Sequence, residues 1–111
     1  MNLVNLTPHD LNIHLPTGEV VTYPSNGVAR VASTREAGPT LLGIPSVVTT
    51  FGEVTGLPAP AAETIYVVSA LVQNHPSVVH REDVYSPNDL VRNEKEQVIG
   101  ARGLTRTAVA A

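Results

Sequence analysis

The chain has 111 residues, seven Lys and Arg against ten Asp and Glu, a net charge of −3 and no cysteine. That balance argues against a nucleic-acid polymer as partner, and the missing thiols exclude disulfides, thiolate metal sites and cysteine nucleophiles. With no Trp, one Phe and three Tyr, the core must come from Val, Leu, Ile and Ala, which favours sheet packing in a single domain over 1–111 and makes oligomers plausible.

Leu3 to Leu6 opens as a strand, and Thr7-Pro8-His9-Asp10 breaks it because Pro8 cannot donate to a ladder. Leu11 to Leu15 alternates apolar and polar, the signature of a half-buried strand. Pro16 to Glu19 turns and Val20 to Tyr23 returns as a hairpin; Val28 to Ala32, after a second turn, reads as the third member of an antiparallel meander. Thr34 to Thr40 reads as a loop, Ile44 to Phe51 as a β-branched strand, and Gly52 to Glu63 as a long Gly/Pro/Ala loop with one short strand at Glu53-Val54. Thr64 to Val68, apolar on both faces, predicts a central strand. Ser69 is a helix cap for Ala70 to Asn74, and Pro76 either breaks this helix or starts a second short one over Ser77 to Arg81. Asp83-Val84-Tyr85 is extended, Ser86 to Asp89 is a turn, and Ala108 to Ala111 is a frayed end.

The stretch from Arg81 to Arg106 holds five of the seven cations: Arg81, Arg92, Lys95, Arg102 and Arg106. Leu90-Val91 and Val98-Ile99 flank Asn93-Glu94-Lys95-Glu96, the pattern of a β-hairpin. A turn centred on Glu94-Lys95 sets Val91 opposite Val98, and Arg102 diagonally across from Asp89 on one face. Arg102 and Arg106 share a face on a helical turn, within reach of one anion. On a strand they stand about 13 Å apart, too far to clamp a single phosphate. Asp89, Glu94 and Glu96 offer the simpler alternative of structural ion pairs. Small neighbours Gly100, Ala101 and Gly103 leave room for a ligand near the backbone.

Neither His9 and His14 nor His75 and His80 have the spacing of a zinc site, so no metal and no cofactor is expected. Ser69, Ser77 and Ser86 lie near His75, His80 and Asp83 in sequence, but no nucleophile elbow frames a triad, and no catalytic residue is assigned. Ligand binding fits the residues better. Tyr85 offers a stacking face, Asn88 a donor and an acceptor for a base edge, and Arg92, Arg102 and Arg106 forked donors for phosphates.

The segments NLTPH (Asn5 to His9), GVARV (Gly27 to Val31), TIYVVSALV, DVYSPNDLVRN and QVIGARGL resemble the Thoeris anti-defence sponges of bacteriophages, and the likeness runs from Asn5 to Arg106. The resemblance implies a non-enzymatic protein of α+β fold that sequesters nucleotide immune signals, glycocyclic ADP-ribose variants or cyclic trinucleotides, between the protomers of a dimer or larger oligomer. It carries a hydroxyl and an Asn near the ligand onto Ser86 and Asn88, and paired arginines onto Arg102 and Arg106. The family's pocket aromatic falls on Tyr85, or is replaced by Val78 or Val79.

The resulting expectation is an α+β fold: an antiparallel meander, one or two short helices between Ser69 and Arg81, and a C-terminal hairpin. The predicted site is Tyr85, Ser86, Asn88, Arg92, Arg102 and Arg106. The partners are a small cyclic nucleotide and further copies of the chain, as a dimer or trimer of dimers, with no membrane. No run reaches the roughly 20 apolar residues of a membrane helix and the N-terminus lacks a basic leader, so the expected location is the cytoplasm of an infected bacterium. The competing functions are a structural or assembly protein of a phage particle and a nucleotide hydrolase using His80 and Asp83.

Overall fold

A computed structural model describes residues 1–108; of the end expected to fray, Ala108 to Ala111, the last three residues lie outside the described ones. The chain is β-rich, with strands β1 (Asn2–Asn5), β2 (Leu11–His14), β3 (Val20–Tyr23), β4 (Arg30–Ala37), β5 (Val47–Thr55), β6 (Thr64–Val67), β7 (Val84–Arg92) and β8 (Val98–Thr105). Among the described residues one short helix, α1 (Ala70–Gln73), joins them. Six strands form a sheet in the order β1-β6-β7-β8-β2-β3, and β4 and β5 pair separately as a two-stranded arm.

The sheet is mixed, which corrects the antiparallel meander. β1, β6 and β7 run parallel, as do β2 and β8, while β2–β3 and β7–β8 are antiparallel. The expected third strand of the meander leaves the sheet altogether: β4 pairs only with β5, from Arg30 opposite Thr55 to Ala37 opposite Val47. Glu53-Val54 is strand as expected, as part of β5; Thr34 to Ala37, read as loop, is strand because Val47 to Thr50 supply its ladder. Such a partner is invisible to local pattern.

The two edges of the six-stranded sheet meet. Asn5 bridges to Ser25 just past β3, and the Asn26 amide donates to the Asn5 carbonyl at 2.7 Å. The sheet is thereby curled into a nearly closed barrel. Its inner cluster is Leu11, Ile13, Val67 and Ala101, with Leu3, Tyr23 and Leu104 packed on. The outer face of β6 and β7 carries a second cluster, in which Tyr66, Val68 and Val84 meet Val72 of α1 and Val78. Alternation along β6 thus feeds two cores, which explains why Thr64 to Val68 is apolar on both faces.

Ser69 caps α1 as expected, accepting from the Val72 amide. The second helix over Ser77 to Arg81 is instead a series of turns held by Val78 and Val79 amides on the His75 carbonyl. The expected Ser86 to Asp89 turn is strand: Pro87 lies opposite Leu104 in β7. Proline is tolerated there because β6 pairs with β7 only at Val84 and Tyr85, leaving the other edge of Pro87 free.

Candidate functional site

The β7–β8 hairpin carries five of the six predicted site residues, with Arg106 just past its end, but it does not gather them. Tyr85 pairs with Val67 and so lies on the barrel-interior face; Ser86, next along the strand, points the other way and is buried. Asn88 is exposed opposite Gly103. Arg92 donates to the Glu96 carbonyl at 3.0 Å, bracing the turn. Arg102 stands on β8 and Arg106 just beyond its end, so the pair has the extended spacing and not the helical one.

The hairpin register differs from the expected one by two residues. Val91 lies opposite Gly100 and Leu90 opposite Ala101, with a bulge between Val91 and Arg92. The loop is governed by Asn93, whose side-chain oxygen accepts from the Lys95 and Gln97 amides, while Glu96 adopts φ 62°. Asp89, also left-handed at φ 52°, then falls directly across from Arg102 and the two make a 3.6 Å ion pair. Ala101 and Leu104 join the same interior cluster although three residues apart, so β8 changes face near Gly103, at the level of that kink.

The small residues of β8 serve packing. A Cβ on Gly100 would stand 2.6 Å from the Asn12 carbonyl oxygen and 2.7 Å from the His14 ring, so the room there belongs to β2. Ala101 is fully buried; Gly103 alone has open space around it. β2 and β8 share one bridge, Ile13 to Ala101, and Asn12 supplements it by donating to the Ile99 carbonyl while accepting from Thr22.

What the fold does gather is a mouth at one end of the barrel, a cavity of about 450 Å³. Its walls are the turn after β1 (Thr7, His9, Asp10), the start of β2, Ser69 before α1, and Leu90 and Val98 to Ala101 of the hairpin. Leu11 and Ala101, both core residues, form its apolar floor. None of the six predicted site residues lines this cavity; Arg92, paired with Val98 on its wall, lines a separate surface pocket at the hairpin loop with Asn93, Glu94, Lys95 and Gln97. Sequence reasoning missed the mouth because its walls come from four separated segments. The only signal was that four of the quoted segments, those around Thr7, Ser69, Leu90 and Gly100, contribute to it.

No family model, curated protein or solved structure matches this chain.

The turn forming one wall is fixed by Asn5, fully buried at 0% exposure. Its amide donates to the His9 and Tyr23 carbonyls, each at 2.9 Å, and its oxygen accepts from the Thr7 amide and hydroxyl at 3.0 and 2.6 Å. Asn5 therefore shapes this turn. The candidate catalytic groups are engaged elsewhere. Asp83 takes two hydrogen bonds from Arg81, at 2.9 and 2.6 Å, and not one from His80. Those bonds from Arg81 hold its carboxyl below the ordinary value. Arg81 also donates to the Pro58 carbonyl and lies over the Tyr66 ring, pinning the loop before β6. His75 Nδ1 meets the Ser77 hydroxyl at 2.8 Å but also accepts the Ser77 amide, so its Nε2 carries the proton and donates to the Gly52 carbonyl at 2.8 Å. This ring ties α1 to the arm. Among the described residues no three His, Asp or Glu side chains gather as a metal site.

Proposed function

We propose that the protein binds and sequesters a small cyclic nucleotide signal, of the glycocyclic ADP-ribose or cyclic trinucleotide type, without cleaving it. The observation that carries this reading is the barrel mouth. Its volume falls within the roughly 300–1,000 Å³ of small-molecule sites, and it has an apolar floor with a few polar groups on the rim, in a place where barrels hold ligands. In this reading the base lies on Leu11, Leu90 and Ala101, the Asp10 carboxylate accepts from ribose hydroxyls, and Arg92 meets a phosphate at the rim. Asp10 keeps phosphates out of the depth of the mouth by like-charge repulsion. Arg102 and Arg106, which face away from one another's reach, serve a ligand shared with a neighbouring protomer of a homo-oligomer, as the sponge resemblance implies. Engagement of Asp83 by Arg81 and of His75 by Ser77 and Gly52 supports binding over hydrolysis.

Calorimetric titration with a glycocyclic ADP-ribose and with a cyclic trinucleotide tests the reading. Arg92→Ala and Leu90→Trp should each weaken binding at least tenfold, the first by leaving a phosphate unpaired and the second by filling the mouth. Arg30→Ala, on the arm, should change nothing. Nucleotide released intact by heat means sequestration; altered nucleotide means a hydrolase. If neither nucleotide binds, the reading fails, and the exposed apolar arm favours the alternative of a small assembly protein of a phage particle.

A further inference from the structure

The seam that closes the barrel runs through a segment with chemistry of its own, Ser25-Asn26-Gly27. Of the seven asparagines in the chain, Asn26 alone precedes a glycine. Both residues are exposed, and Gly27 holds φ 139°, a backbone conformation that residues with a side chain rarely adopt. No Cβ therefore shields the Gly27 nitrogen, and its N–H donates to no acceptor among the described residues. The Asn26 side chain is held in a complementary way. Its Oδ1 accepts the Asn5 amide at 3.1 Å, while the Asn26 amide donates to the Asn5 carbonyl at 2.7 Å. The Ser25 hydroxyl lies 2.6 Å from the Thr7 carbonyl and 3.1 Å from that of Gly27, which fixes the segment against the turn after β1. An open nitrogen thus follows a side-chain carbonyl that a backbone donor already polarises.

We infer that Asn26 is a self-modification site, deamidated by its own backbone with water as the only co-reactant. A base takes the proton of the Gly27 amide, and the nitrogen attacks Cγ of Asn26. The bond from Cγ to Nδ2 breaks, ammonia leaves with the proton it gains, and a succinimide ring closes. Water then opens one of the two ring carbonyls. One opening gives aspartate; the other gives isoaspartate, whose main chain runs through Cβ and Cγ. Nothing is oxidised or reduced. The Asn5 amide stands at the oxygen on which negative charge develops during the attack, at about the 3 Å of an oxyanion donor. It belongs to a fully buried residue and is already aimed, so the fold assists this step instead of shielding it. The product acts on the seam. Asn26 to the Asn5 carbonyl and Ala29 to the Leu6 carbonyl, at 3.0 Å, are hydrogen bonds on either side of Gly27. Isoaspartate lengthens the main chain between them by one carbon and adds a carboxylate, so the two bonds lose their common register. Ala29, a member of the outer cluster, is then displaced and barrel closure weakens.

The inference is independent of the ligand reading, and its readout is peptide mass and melting temperature. The parent protein, held for days in warm and mildly alkaline buffer, should lose one ammonia and then gain one water in the peptide that contains Asn26. The conversion rate should rise in proportion to hydroxide, and isoaspartyl methyltransferase should label the product. Peptides holding the other six asparagines, each followed by a residue with a side chain, should convert at least tenfold more slowly. The same chain unfolded in guanidinium is the reference. The folded protein should convert at least as fast, because unfolding removes the Asn5 donor. The aged parent should melt at a lower temperature than fresh protein. Asn26→Gln, which would need a larger ring, should keep its mass and its Tm over the same period. Gly27→Ala, whose Cβ would meet only Leu6 at an ordinary 3.8 Å, should convert at least tenfold more slowly than the parent. Circular dichroism checks that each variant is folded, and the comparison of folded with unfolded parent needs neither variant. An unchanged Asn26 peptide overturns the inference, as does conversion more than tenfold slower in the folded than in the unfolded chain. Full conversion with an unchanged Tm would overturn the role assigned to the seam.

Discussion

The turn after β1 and the tip of the β4–β5 arm both connect strands, yet they use side chains in opposite ways. At the first, a buried Asn5 answers four polar groups with one side chain, and no buried polar side-chain atom of the described residues lacks a partner. At the second, Leu42 stands wholly in solvent in a backbone conformation that disfavours it. The barrel end is determined from within the chain. The arm is attached to the body mainly at its base, where Val31 and Val54 reach the outer cluster and His75 bonds Gly52. Stability therefore concentrates at the closure of the barrel, and exposed apolar side chains concentrate on the arm.

Removing Asn5 is the sharpest way to break that contrast. Asn5→Ala leaves the His9 and Tyr23 carbonyls and the Thr7 amide without their partner at partly buried positions. The expected cost is about 3–5 kcal/mol, because each unsatisfied buried group carries its own desolvation penalty. Chemical or thermal unfolding should show a Tm fall of more than about 12 °C at this chain size. Thr34→Ala, exposed on the arm, should leave Tm within about 2 °C. Comparable losses at both positions would mean that the two regions do not differ in the way described.

The next effect is read against pH. Asp83 is held below its ordinary value of 3.8 by hydrogen bonds from Arg81, so folding favours its ionised form. The associated stability is complete above the unfolded carboxyl value and is lost as pH falls through the lower folded value. Asp83→Asn should therefore cost about 1–2 kcal/mol at neutral pH, since the forked pair is four-fifths shielded from solvent. Parent and variant should converge in the most acid solutions. A constant gap from pH 7 down to pH 2 would assign the loss to packing instead of charge.

Several of these features were legible in the residues, and the reasons are local. The β2–β3 hairpin followed from the alternation of Leu11 to Leu15, the capping of α1 from Ser69, and the central β6 from a strand apolar on both faces. Much of the arm was legible as strand, at Val28 to Ala32, Ile44 to Phe51 and Glu53-Val54; what was hidden was its pairing apart from the sheet and the strand at Thr34 to Ala37, which Gly38-Pro39 disguises as loop. Asn5 was hidden for another reason. In sequence, Asn two residues before Thr is an ordinary turn pair, and its burial depends on β3 arriving at the barrel seam. The predicted site suffered from period 2: Tyr85 and Ser86 are neighbours in sequence and for that reason lie on opposite faces of β7. The barrel mouth depends on the joining of segments as far apart as Thr7 and Ala101, and no local pattern encodes that.

The smallest expected effect concerns Arg102, which sits on the hairpin wall and belongs to neither extreme. Its 3.6 Å pair with Asp89 is long, and the side chains are 57% and 61% exposed. Water and salt screen such a pair, and ordering two flexible side chains offsets most of the remaining attraction. Arg102→Ala should thus change stability by no more than about 0.5 kcal/mol, and less at high salt. Asp89 complicates the reciprocal test, because its left-handed backbone makes Asp89→Gly relieve strain while it removes the charge. The informative pair is therefore Arg102→Ala and Arg102→Lys, followed both by thermal unfolding and by nucleotide uptake. Equal Tm values with a loss of uptake in the Ala variant, only partly restored by Lys, place Arg102 on a phosphate shared with a neighbouring protomer, where the forked guanidinium matters. Equal Tm values with unchanged uptake leave it a solvated surface pair. A Tm fall beyond about 5 °C would show that the kink at Asp89 depends on this contact, and the distinction between a self-determined barrel and its loosely held surface charges would have to be redrawn at β8.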